Sequence, residues 1–483
     1  MNKLRRILVL SALFSLNTLA SAQSAKIKVL VVEINPTLKS QDNQKASEFL
    51  DWADPETYVN EMIEDFRQSS HGLYNLEISE WIHVDEFPHF TSEITLNNGS
   101  KAHSLDEESF LEINKTWRWW DHPLSQQIPG FSFDYERMLQ KHALLEKRAQ
   151  GVFDQVWIVG VDPLATFEAR MVGKTAYWIN GATLVKDVNN FPVMNVSLFR
   201  TDVNLECFGH MFEAVLGRNH VENNKSGVFQ TRTDHGYRNH IYKSGSVIKR
   251  DTLVNNQLVA VTLKSVDGWT EQVVQEEIQK QLKLHPLPLV ELNTYEKFTA
   301  VDKFYPGQAA VGNMHYAPNS HGDYDWANET YVITSWVDWA NNYPDLQGQT
   351  IVSNKTTWLK TGEQNGRAHH KWWFSMLPHA KGRDVDGYSH NWWTYLGPID
   401  WVDTVEIQPV KKLVIGQFEV LSIKGIFRST QEADISNDVV LTSSNPKVIR
   451  IVGQAIQGVS EGTATITAKR DGRQASIDVT ARR

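Results

Sequence analysis

Cysteine is almost missing: the 483 residues contain a single one, Cys207. A lone thiol excludes any intrachain disulfide, so stability must come from a buried core, with a bound metal as the other available staple. Basic residues are in the minority, 48 Lys and Arg against 57 Asp and Glu, giving a formal net charge of −9. That balance argues against a sequence-independent grip on nucleic acid, which needs clustered cations to displace counterions. After the N-terminus no apolar run approaches the roughly 20 residues of a membrane span. Hydrophobic residues at 41% and charged residues at 22% are ordinary globular proportions, which excludes extended disorder and collagen-like or coiled-coil chains. At about 150 residues per domain, the length suggests roughly two to four domains.

The first 22 residues read as a secretory signal. Lys3, Arg5 and Arg6 form its positive start, Ile7 to Leu16 its apolar stretch, and Ala20-Ser21-Ala22 a small-residue cleavage site. The apolar stretch is too short to span a bilayer. Cleavage after Ala22 would remove three positive charges and take the formal charge to −12. The expectation is a protein exported to the periplasm or beyond.

Tryptophan divides the remainder. All 17 lie between Trp52 and Trp401, and the last 82 residues have none. This break marks a boundary near residue 402 and gives a large domain over 23–401 and a small one over 402–483. The small one contains short β-rich runs separated by turns: Val405 to Ile407, Phe418 to Ile423, Asp438 to Thr442, Val448 to Val452, Thr463 to Thr467 and Ala475 to Val479. Their alternation predicts an all-β sandwich. Thr442-Ser-Ser-Asn-Pro446, Val448 and Gly458-Val-Ser-Glu-Gly-Thr-Ala-Thr-Ile-Thr467 closely resemble the bacterial Ig-like domain, group 2. The resemblance covers about 80 residues and implies a spacer or adhesion module without chemistry of its own.

The large domain opens on Lys26 to Glu33, a continuous apolar strand of the kind buried on both faces. Helical spacing follows over Pro55 to Gln68 (Tyr58, Met62, Phe66), with Asp54 as cap and Ser69-Ser-His-Gly72 as stop. An alternating strand over Leu73 to Ile82, a helix over Tyr135 to Gln150 and a buried strand over Val152 to Gly160 complete an α/β or α+β layered pattern.

Asp202 to Leu216 is helical, with Leu205, Phe208, Phe212, Val215 and Leu216 on its apolar side and Gly217 as a stop. Glu206, His210 and Glu213, spaced four and three apart, project from one side. Two ligands one turn apart on a rigid helix suit zinc or a similar divalent ion. The third ligand could be Glu213 or a distant His among His220, His235, His315, His321, His369, His370, His379 and His390. The same spacing also fits a buried hydrogen-bonded Glu–His pair in a core helix.

Glu206-Cys207-Phe208-Gly209-His210 resembles a departed form of the zincin peptidase motif HEFGH. Together with the preceding order of strands and helices, over about 190 residues, it resembles secreted metallopeptidases of the immune inhibitor A type. The second His and the Phe-Gly pair match. The first His is Glu206, and the general-base Glu is Cys207. The resemblance implies a zincin-like domain with Glu206 and His210 on the metal. Glu213 would act as third ligand or as base, and Cys207 would be a nucleophile only if its pKa were depressed.

Two later segments are rich in donors and rings. His315 to Asn328 reads as a loop holding His315, His321, Asp323, Asp325 and three aromatic residues, suited either to ligand binding or to satisfying its own backbone. Farther on stand His369, His370, Trp372, Trp373, Trp392 and Trp393. Read as strands, adjacent Trp pairs cannot both face inward, which suggests a carbohydrate-lined cleft rather than core packing alone.

Three functions are compatible with these readings. The first is a secreted metal-dependent hydrolase acting on an extracellular protein, glycoprotein or peptide-linked glycan. The second is a carbohydrate-active or polysaccharide-binding protein using the Trp/His-rich segment with Asp323 and Asp325. The third is a non-catalytic surface or adhesion protein with a degenerate peptidase site. No nucleic-acid partner is expected in any of them.

Overall fold

The computed structural model describes residues 26–483 apart from 117, 203, 221–240, 255–256, 286–291, 398–400, 411 and 428–430. The N-terminal stretch read above as a secretory signal and His235 therefore lie outside the described residues. Five strands form the main sheet: β1 (Ile27–Ile34), β2 (Leu76–Val84), β3 (Gln155–Gly160), β4 (Ala169–Val172) and β5 (Phe191–Ser197). In space they run β2-β1-β3-β5-β4. The first four are parallel, with Val31 opposite Trp157 in the β1–β3 register, and β4 closes the edge antiparallel to β5.

Strands β1 and β3 are mostly apolar and, Lys28 apart, buried, because the sheet is covered on both faces. Val29 and Val31 point into a core shared with α1 (Pro55–Ser69), α2 (Asn204–His220) and α3 (Asn365–Met376). Phe66 of α1 meets Phe208 of α2 at 4.9 Å and Phe374 of α3 at 5.4 Å between ring centroids. Leu30 and Val32 point the other way, onto helices at Tyr135–Lys141 and Leu144–Ala149. The result is a mixed α/β, three-layer arrangement.

The local signals explain most of these elements. Asp54 caps α1 by accepting from Thr57 N, Pro55 opens it, and His71 and Gly72 leave it in left-handed conformations. The expected helix over Tyr135 to Gln150 is instead two, because Ala143 is left-handed (φ 51°). The break re-aims the second piece so that buried Arg148 donates to the carbonyls of Phe153 and Asn190 and pairs with Asp154. Gly217 does not stop α2, which runs on to His220; glycine permits a helix end without imposing one.

The Trp pairs are not on strands. Trp372 and Trp373 belong to α3, and Trp392 and Trp393 to a 3₁₀ turn at Trp392–Tyr395. The alternation argument therefore does not apply to them. Beyond residue 401 the described chain is all β, with a four-stranded and two three-stranded sheets around a hydrophobic cluster that includes Val402, Ile423, Ile449, Ile466 and Val479. Among the described residues no helix is long and apolar enough to cross a membrane.

Candidate metal centre

Helix α2 is tied to the sheet at its start. Asn204 accepts from Ser197 N and donates to Ser197 O and to Tyr58 OH, all buried. Phe208 and Phe212 then face the core, which turns Glu206, His210 and Glu213 the other way, beneath a loop that runs through Gly312 to Trp326.

That loop is held by several independent contacts. Gly312 is left-handed (φ +78°), and a Cβ there would come 2.3 Å from Tyr316 O. Asn313 Oδ1 accepts from the backbone of His315 and Tyr316. Trp373 Nε1 donates to Gly312 O, and Trp326 Nε1 to Met314 O. Glu213 Oε1 accepts from Met314 N at 3.0 Å, joining loop and helix directly.

His315 is thereby delivered to the helix pair. Its Nε2 lies 2.9 Å from Glu206 Oε1 and 3.0 Å from His210 Nε2, while His210 Nε2 is 3.4 Å from Glu206 Oε1. Behind each imidazole stands a carboxylate: Glu213 Oε2 at 3.0 Å from His210 Nδ1, and Asp323 Oδ1 at 3.4 Å from His315 Nδ1. A ring whose Nδ1–H donates to a carboxylate presents the lone pair of Nε2 on its other side. His210 meets this condition through Glu213, and its Nε2, His315 Nε2 and Glu206 Oε1 converge on one point. Glu206 Oε1 is buried and has no properly aligned hydrogen-bond partner in the protein. Three donors facing one another repel unless a cation or a shared proton sits between them, so the set fits a metal ion. Glu206, His210 and His315 form a group that could hold one.

The proton affinities have the same origin. Burial disfavours charge on His210, yet the carboxylates of Glu206 and Glu213 beside it raise its pKa to about 10. Burial likewise opposes ionisation of Glu206, but His210 and His315 hold its carboxyl well below the usual range. Burial, reinforced by Glu206, raises the carboxyl of Glu168, whose Oε2 lies 3.8 Å from His210 Nε2.

Of the other residues singled out in the sequence, Glu213 does not share the central point; both of its oxygens are used behind it. Cys207 is buried in the hydrophobic cluster, and burial followed by the charges of Glu168 and Glu206 raises its thiol well above normal, the opposite of what a thiolate nucleophile requires. His321 is exposed, and Asp325 accepts from His321 N and Asn328 Nδ2, closing its own loop. His369 and His370 are fully buried behind Met314, and burial lowers the pKa of both. Trp373, Trp392 and Trp393 are core rings, and Trp372 is half-buried beside Trp336 and Trp358. A separate surface depression, lined by His89, Asp134, Arg137 and Lys141, shares no residue with the centre. Sequence reasoning missed Glu168, which stands outside any motif just before β4, and Tyr324, whose hydroxyl lies 3.4 Å from His315 Nε2.

Three donors in a His₂-carboxylate set leave a coordination position open, as catalytic rather than structural zinc sites do. The access is on the His315 and Glu168 side, where the side chains are 33% and 43% exposed against 6% for Glu206. No protein-family model matches the chain, and no curated protein is similar to it.

Proposed function

We propose that this chain is a secreted, metal-dependent hydrolase of peptidase-like type, with zinc or a similar divalent cation held by Glu206, His210 and His315. The observation that carries the reading is the meeting of those three donor atoms, each within 3.4 Å of the others, beside solvent. A bound dication would polarise a substrate carbonyl and acidify water at the open position. In this reading Glu206 and His210 act from one helical turn, His315 closes the set from a loop, and Glu213 and Asp323 fix the ring orientations. The signal-like N-terminus supports export. The β-rich segment after residue 401, with its resemblance to the bacterial Ig-like domain, would present the large domain to an extracellular protein or glycoprotein.

One observation favours a second reading. Position 207, where the resembling motif carries its base, holds a buried thiol, which would suit a non-catalytic protein that keeps the metal. Metal analysis of the purified protein and hydrolysis of labelled casein separate the two. The hydrolase reading expects one zinc per chain, lost in Glu206→Ala, His210→Ala and His315→Ala, and casein cleavage abolished by chelation and restored by zinc. Zinc retained in all three variants would remove the site. Zinc bound without cleavage would leave the non-catalytic protein.

A further inference from the structure

A hydrolytic centre needs a group that takes a proton from the attacking water, and the motif position does not offer one here. Four carboxylates surround the three donor atoms among the described residues. Glu206 is itself a donor. Glu213 stands behind His210 with both oxygens engaged, and Asp323 stands on the far side of His315. The fourth, Glu168, comes from a different element. Its backbone carbonyl accepts from Asn195 N at 2.9 Å, which fastens it to β5 at the foot of the edge strand β4. Its carboxylate accepts from Asn180 Nδ2, which restricts the side chain. Its Oε2 approaches the same His210 Nε2 that faces Glu206 and His315, from the side where solvent enters.

We infer that Glu168 is the proton-transferring carboxylate of this centre, supplied by the sheet edge in place of the helix residue at position 207. The inference rests on the hydrolase reading above. In the hydrolysis of an amide, a water on the open side gives one proton to Glu168 as its oxygen bonds to the carbonyl carbon. When the C–N bond breaks, Glu168 returns that proton to the amine nitrogen. Amide and water become acid and amine, and the carboxylate ends as it began. Its Oε2 lies 3.8 Å from His210 Nε2 on the open side, and a general base acts directly or through one water on the proton it takes.

The test uses the full chain loaded with zinc and compares wild type with Glu168→Gln and Glu168→Ala. Both variants should keep one zinc per chain and the wild-type unfolding temperature, while kcat on labelled casein falls about 100-fold or more and KM changes little. Binding of acetohydroxamate, which must give up a proton to a neighbouring acceptor, should weaken at least tenfold in both, giving a readout independent of turnover. Glu168 variants within threefold of wild type in kcat and acetohydroxamate affinity would overturn the assignment and leave the hydrolase reading standing. Variants that lose zinc would overturn it too, by making Glu168 a ligand. A wild-type protein that takes up no zinc, or that binds zinc yet neither cleaves casein nor binds acetohydroxamate, would overturn the hydrolase reading itself.

Discussion

Glu213 illustrates how one side chain can organise a centre without entering it. One oxygen meets His210, and the other holds the backbone beside His315, so both histidines are positioned through a single carboxylate. Outer partners of this kind typically contribute about 10–100-fold in metal affinity. Glu213→Ala is therefore expected to weaken zinc binding by that factor while retaining the fold, as measured by competition with a chromophoric chelator. Affinity within twofold of wild type would show that the contact does not orient the ring. Cys207 is the converse case: next in sequence to Glu206, it points into the hydrophobic cluster and away from the converging donor atoms.

Helix α2 and the loop above it can approach so closely because position 209 is glycine. A Cβ there would lie 1.8 Å from Met314 Sδ and 2.4 Å from its Cγ. In an exposed helix Gly→Ala is stabilising by up to about 1 kcal/mol, but here the added methyl must displace a buried methionine. Overpacking of this kind costs about 1–3 kcal/mol. Gly209→Ala is expected to lower stability by that amount and to weaken zinc binding at least tenfold, because Met314 is the neighbour of His315. Adding Met314→Ala should restore zinc binding by vacating the space. A Gly209→Ala protein that binds zinc like wild type would show that the loop can retreat without moving His315.

Across the whole molecule, the β-rich segment after residue 401 is joined to the preceding residues through a buried carboxylate. Asp471 accepts from Tyr395 OH at 2.8 Å, Arg383 at 3.1 Å and Val402 N at 2.9 Å, and its side chain is fully buried. Arg383 also makes a two-pronged pair with Asp438. Removing Asp471 takes the acceptor from the buried Tyr395 hydroxyl and Val402 amide, at about 1–3 kcal/mol each, while Arg383 keeps Asp438. Asp471→Ala should lower the unfolding free energy by an amount of that order in denaturant titrations while leaving zinc stoichiometry unchanged. Loss of zinc together with that stability would mean that the junction also shapes the centre.

What the chain determines locally was legible before folding. The apolar run at Ile27–Ile34, the capped helix after Asp54 and the four-residue spacing of Glu206 and His210 each follow from backbone periodicity, which depends only on near neighbours. The tertiary structure alone decided the rest. His315 lies 105 residues from His210, and no spacing selects it from the other histidines; only the Gly312 turn and the Trp326 and Trp373 anchors do. Glu168 enters from the sheet edge, and Glu213, indistinguishable from a ligand on a helical wheel, is turned to the rear by the backbone of Met314. The tryptophans carry the same lesson, since a paired ring reads as a binding surface or as core depending on what packs against it. A cluster assembled from a helix and a loop beside a strand edge is a property of their packing, which no single stretch of sequence contains.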